Sequence, residues 1–122
     1  LGIDAIEVSG GFVSEKTTTP IRPGIDSPGK EAYFAPAAKA LADEVPVPVI
    51  SVGGYRSYDV VRDVIKNSAV AAVAFCRPLI ADPALPNRWQ AGEQETSGCI
   101  CCGRCSKPHG HFYCKQKPRE QV

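Results

Sequence analysis

The sequence predicts an α/β fold, and two observations carry that prediction. Short β-branched segments alternate with stretches of helical periodicity, and the strand candidates end at glycines or at a proline-bearing turn. The order strand, helix, strand, helix, strand, helix, followed by a cysteine-rich tail, points to parallel strands joined by right-handed crossovers.

Residues 4–9 form the first strand, which Gly10 and Gly11 stop. A polar, proline-rich stretch over 14–30 reads as a long loop, of a length usually functional or mobile in a compact domain. Phe34, Ala37, Ala38, Leu41 and Val45 then recur at helical spacing. Pro36 is tolerated only in a first turn, so a helix is predicted over 35–44, its apolar stripe facing a sheet.

Residues 48–52 are β-branched and end at Gly53 and Gly54, as a buried parallel strand and a tight turn would. Ser57 is placed to cap the second helix, whose buried face is Val60, Val61, Val64 and Ile65 and which Asn67 and Ser68 end. The third strand is 70–75. Asp82 is expected to cap a short helix with Pro83 at its first position, and Leu85 and Trp89 share one side of it.

Beyond Gly92 the pattern is lost, which divides the chain into a body, 1–92, and a cysteine-rich tail, 93–122. Three βα units are about three-eighths of a (β/α)8 barrel, and 122 residues fall well short of the roughly 250 that a complete one takes. Alone, such a piece exposes sheet edges and its inner face, so it is expected to need a missing N-terminal barrel half or a partner chain. The lack of methionine and the abrupt start at Leu1 also read as a fragment.

Fourteen basic and 13 acidic residues leave a formal charge of +1, with no electrostatic footprint for nucleic acid or an anionic membrane. The longest apolar run, 69–75, is far below the roughly 18 residues of a bilayer span. Five of the six cysteines, Cys99, Cys101, Cys102, Cys105 and Cys114, fall within sixteen residues. Without a secretory signal these read as reduced thiolate ligands in a soluble, cytoplasmic protein.

Two constellations carry chemistry. Gly53 and Gly54 allow close backbone approach to a ligand, and Arg77 adds fixed positive charge at the neighbouring strand end. In barrels the loops after the last two strands commonly bind phosphate. The plainer alternative is a simple glycine turn and a surface ion pair. In the tail, Cys99, Cys102 and Cys105 repeat at intervals of three, a spacing that lets thiolates converge on an iron-sulfur cube, with Cys114 closing the fourth corner. Zinc held by Cys102, Cys105, Cys114 and either His109 or His111 is the competing assignment, and a tail without metal is the third. Cys101 is out of phase and reads as a bystander, with a register that uses it in place of Cys102 as the alternative; Cys76 reads as a small buried residue. Tyr55 and Tyr58 read as packing residues, and Glu7 and Ser9 fit either the substrate side of a barrel or an outward position.

The segments 2–10, 48–54 and 77–83 together resemble the last three barrel strands of NADH:flavin oxidoreductases of the Old Yellow Enzyme type. The stretch 85–92 with Cys99, Cys101, Cys102 and Cys105 is similar to the branch containing 2,4-dienoyl-CoA reductase. The resemblance implies the C-terminal portion of a TIM (β/α)8 barrel. It implies that backbone amides of Gly53, Gly54 and Cys76 and the guanidinium of Arg77 surround the FMN phosphate; many relatives have glycine or alanine in place of Cys76. It also implies a 4Fe-4S cluster on Cys99, Cys102, Cys105 and Cys114, although relatives often carry a third interval one residue longer. The parent would move hydride from NAD(P)H to FMN and on to a small unsaturated substrate. The flavin-ring contacts and the proton donor come mostly from the first five strands of such barrels, so no catalytic residue is assigned here and the chain alone is expected to be inactive. A small zinc or iron-sulfur module for electron transfer or structure is the alternative.

Overall fold

The computed structural model describes residues 2–11, 22–105 and 112–116. It contains β1 (Ile6–Val8), α1 (Ala35–Glu44), β2 (Val49–Val52), α2 (Tyr58–Lys66), β3 (Ala72–Ala74), α3 (Arg77–Ala81) and α4 (Leu85–Gln90), with a 3-10 turn at Pro28–Lys30 before α1. The strands form one parallel sheet in the order β1-β2-β3. Its register aligns Val8 with Ser51 and Ser51 with Val73.

Side chains alternate across a sheet, so this register defines two faces. Val8, Val49 and Val73 point to one, where Ala35, Ala38 and Leu41 of α1 and Val60, Val61 and Val64 of α2 cover them. Glu7, Ile50, Val52, Ala72 and Ala74 fall on the other, and Glu7 is exposed there. A parallel sheet covered by helices on one face is compatible with a segment of a barrel, whose strands turn their second face inward.

The strands are shorter than the β-branched runs that announce them, because pairing holds only where neighbours overlap. Val70 is buried before β3 begins, and Ala71 N–H already donates to the Val49 carbonyl at 2.9 Å. Helix α1 has the predicted bounds. Ile65, predicted on the buried face of α2, is 37% exposed, since it lies past the rim of the stripe that Val60, Val61 and Val64 share.

The region after β3 departs from expectation. Asp82 caps no helix at its N-terminus: it ends α3, and its carboxylate accepts from Arg88 Nη2 at 2.5 Å. Helix α4 starts two residues later, with Pro86 rather than Pro83 in its first turn. Trp89 packs against the rings of Tyr58 and Phe75, with centroids 5.9 and 5.8 Å away, while Leu85 is fully buried. Residues 14–21 of the predicted loop lie outside the described residues. No helix among the described residues is long and apolar enough to cross a membrane.

Candidate functional site

The site forms where β2 and β3 end. Gly53 and Gly54 have φ of 133° and 75°, a region L side chains rarely adopt. Space enforces the same choice: a Cβ on Gly54 would stand 2.8 Å from Tyr33 Cε1, and one on Gly53 would stand 3.0 Å from the Phe34 amide nitrogen. The segment before α1 thus presses on the turn, and Tyr33 N–H donates to the Gly53 carbonyl at 3.2 Å. Beyond the turn Tyr55 is fully buried, as a packing residue should be, and its hydroxyl donates to Ser51 Oγ at 2.7 Å.

On the β3 side, Phe75 packs inward, Cys76 precedes α3 and Arg77 opens it. Between the strand ends lies a cleft of about 130 Å³ lined by residues including Val52, Gly54, Cys76, Arg77 and Cys101. Three of the four residues expected to hold a phosphate therefore share one cleft, and Gly53 belongs to the same turn. Cys76 is exposed rather than buried, because it stands past the end of the ladder. Arg77 is fixed by donating from Nη1 to the Arg22 carbonyl at 3.2 Å.

The tail returns to this same end of the sheet. Ser97 N–H donates to the Arg56 carbonyl at 2.9 Å, Cys99 N–H to Ser97 Oγ at 3.2 Å, and Gly24 N–H to the Cys101 carbonyl at 3.2 Å. Cys99 and Cys101 are buried with Ile25 and Ala81, and Cys114 and Tyr33 pack against that cluster. Cys101, expected as a bystander, is an interior residue held at φ 49°, with its N–H on Cys99 Sγ at 3.4 Å. The Cys101 thiol donates to Cys99 and holds it well below the usual thiol range, against its burial and with help from Arg77 and Arg56. The same bond, together with burial, pushes Cys101 up. Burial, followed by the charges of Cys99, Cys114 and Cys102, pushes Cys105 up.

Of the four thiols expected to hold a cluster, Cys99 and Cys114 pack in one group with Cys101, and thiolate donors suit iron and sulfur. Their arrangement is nonetheless a Cys99–Cys101 pair: among the described residues no three His, Cys, Asp or Glu side chains stand grouped to hold a metal ion. His109 and His111 lie outside the described residues.

Sequence reading missed two residues that organise the site. Glu31 is buried, and its carboxylate accepts from Arg56 N–H at 2.8 Å, Ser57 N–H at 2.9 Å and Ser57 Oγ at 2.6 Å. The start of α2 is thus satisfied by a carboxylate 26 residues upstream, and Ser57 makes no side-chain cap of its own. Arg56 bonds both the 22–31 segment and the tail. Its place two residues after Gly54 was the only available signal.

No family model matches the chain. The described residues form a parallel α/β sheet with a glycine turn and an arginine at adjacent strand ends, and curated relatives narrow that class. The chain is 33% identical over 90 residues to an NADH-dependent flavin oxidoreductase of Hypocrea jecorina, covering 70% of this chain and 22% of that protein. It is 33% identical over 102 residues to an NADH oxidase of Thermoanaerobacter brockii, covering 83% and 15%. Over 109 residues it is 30% identical to a metal reductase of Desulforamulus reducens, covering 88% and 16%. Over most of its length the chain is similar to NADH-dependent flavin oxidoreductases and to an NADH oxidase and a metal reductase, and it spans less than a quarter of the length of these relatives.

Proposed function

We propose that this chain is the portion of a longer NADH-dependent flavin oxidoreductase that closes the FMN-phosphate end of a TIM (β/α)8 barrel, in the branch related to 2,4-dienoyl-CoA reductase. Gly53, Gly54, Cys76 and Arg77 hold the phosphate; Cys99, Cys102, Cys105 and Cys114 hold a 4Fe-4S cluster. The observation that carries this reading is the cleft in which Gly54, Cys76 and Arg77 meet. The one-sided cover of the sheet supports it, because Ile50, Val52, Ala72 and Ala74 then face a barrel interior supplied by the rest of the parent.

When bound, FMN supplies hydride transfer between a reduced nicotinamide and an acceptor such as an activated alkene. This chain's own part is to bind and orient. Arg77, fixed through the Arg22 carbonyl, sets a permanent positive charge at the cleft, and the missing side chain at Gly54 keeps the backbone open to a ligand. No residue here takes or gives the substrate's proton, and the isolated chain is inactive.

The test is the flavin, iron and acid-labile sulfide content of the full-length parent purified without oxygen, as wild type, Arg77→Ala and Cys102→Ser. The expected result is flavin with iron and matching sulfide in the wild type. Arg77→Ala should weaken flavin retention about tenfold or more, the value of a charge-assisted bond. Cys102→Ser should lose the iron. Undiminished flavin in Arg77→Ala would remove the phosphate assignment, and zinc in place of iron would remove the redox tail.

A further inference from the structure

Two neighbouring hollows meet at Tyr33. One is the cleft of about 130 Å³ at the ends of β2 and β3; the other is a groove of about 560 Å³ lined by residues including Arg22, Gly24 and Gly29. Among the described residues, Tyr33 is the one that lines both.

Its ring is held in place from several directions. Tyr33 N–H donates to the Gly53 carbonyl at 3.2 Å, and the ring meets that of Phe34 edge-on with centroids 4.8 Å apart. On the cleft side, Gly54 stands so close that a Cβ there would fall 2.8 Å from Cε1 and 3.2 Å from Cδ1. Arg22, which lines the groove, lays its guanidinium over the ring at 4.3 Å from the centroid. The carbonyl of the same arginine accepts the bond from Arg77 Nη1, which joins this brace to the cation of the cleft.

Size then decides what the cleft can take. Pockets that enclose a whole small molecule run to roughly 300–1,000 Å³, and a water molecule's share of the liquid is about 30 Å³, so this cleft has room for an end group and little more. A phosphate monoester is such an end group. A phosphate substituted by a nucleotide, as in a flavin dinucleotide, continues past it, and the continuation needs the space that the Tyr33 ring closes off from the groove.

We propose that Tyr33, braced by Arg22, is the specificity-determining wall of the cleft: it admits a terminal phosphate monoester, and so FMN, and excludes the diphosphate of FAD. The inference rests on the phosphate reading given above and deepens it. Tyr33 also packs against the cluster of Ile25, Ala81, Cys99 and Cys101. A ring that only packed would, on removal, weaken all flavins alike, whereas a wall changes their ratio.

The experiment titrates FMN, FAD and riboflavin into flavin-free, full-length wild type, Tyr33→Phe, Tyr33→Ala and Arg22→Met by isothermal titration calorimetry. Wild type should bind FMN at least about tenfold tighter than FAD, the scale on which one side-chain obstruction discriminates in a pocket. Tyr33→Phe keeps the ring and should keep that ratio. Tyr33→Ala should lose most of it while riboflavin retains its wild-type Kd, and Arg22→Met should fall between. A wild type that binds FAD as tightly as FMN, or a ratio unchanged in Tyr33→Ala, would overturn the wall; the wild-type ratio in Arg22→Met would overturn the brace. Should Tyr33→Ala bind no flavin at all, Tyr33→Leu, which keeps apolar packing without the reach of the ring, decides by the same ratio. A wild type that binds riboflavin as tightly as FMN defeats the phosphate reading itself, whereas one that prefers FMN with a ratio insensitive to residue 33 defeats the wall alone.

Discussion

The sheet-and-helix body and the cysteine segment sit side by side and are held by different physics. In the body, Val49, Ala38 and Val64 lose nearly all contact with water in one apolar cluster, and the strands exchange ladder bonds in register. The segment from Ser97 to Cys101 belongs to no strand or helix; two bonds with Arg56, one with Gly24 and the burial of two thiols hold it. Burial of a periodic face is distributed over many residues and needs no ligand, whereas a segment on a few polar ties depends on each of them and on whatever its thiols bind.

The contrast sharpens when each region is damaged separately, in the full-length protein. The largest effect is expected in the body: Leu85→Ala, at a fully buried site, should cost about 2–5 kcal/mol and lower the urea midpoint of the whole unit. A midpoint shift confined to the tail would break the comparison. Glu31→Ala should follow at about 2–3 kcal/mol, because it strips the acceptor from two amides at the start of α2 and from Ser57 Oγ. It lies at the junction, so hydrogen exchange should quicken both in α2 and around Ser97.

Tyr55→Phe is expected to cost about 1 kcal/mol, the value of one buried bond to Ser51. Burial raises the Tyr55 hydroxyl above its ordinary value. Its folded value exceeds the unfolded one near about 10, so its contribution is complete below that pH and is lost as the pH rises through the folded value. Stability of the wild type should fall on this alkaline limb more steeply than that of Tyr55→Phe, and parallel limbs would exclude Tyr55 as the cause. The smallest effect belongs to Lys30→Ala: its pair with Asp26 is exposed on both sides, and thermal melts should not detect its loss.

Much of the body was legible before any coordinates. The spacing of Phe34, Ala38 and Leu41 marks α1 because helices bury every third or fourth residue, and the run ending at Gly53 and Gly54 marks β2 because only glycine meets the positive φ of that turn. Errors concentrate where local signals compete. Asp82 and Pro83 make a sound N-terminal signature, yet α3 claims Asp82 for its own end and Arg88 draws its carboxylate away. Ser57 is correctly placed as a cap, but a long-range carboxylate wins its hydroxyl.

The same division runs through the site. The sequence by itself determined the alternation of strands and helices, the glycine turn, the arginine at the next strand end and the concentration of thiols, because composition and periodicity are local properties that a chain carries whatever its surroundings. Only the tertiary structure decided that Glu31 serves the start of α2, that Arg56 bridges to Ser97, and that Cys101 rather than Cys102 lies beside Cys99. Those contacts link residues 25 to 41 positions apart, or depend on one backbone angle in an irregular segment. No spacing rule reaches them, since what brings such groups together is the packing of the whole body against its loops.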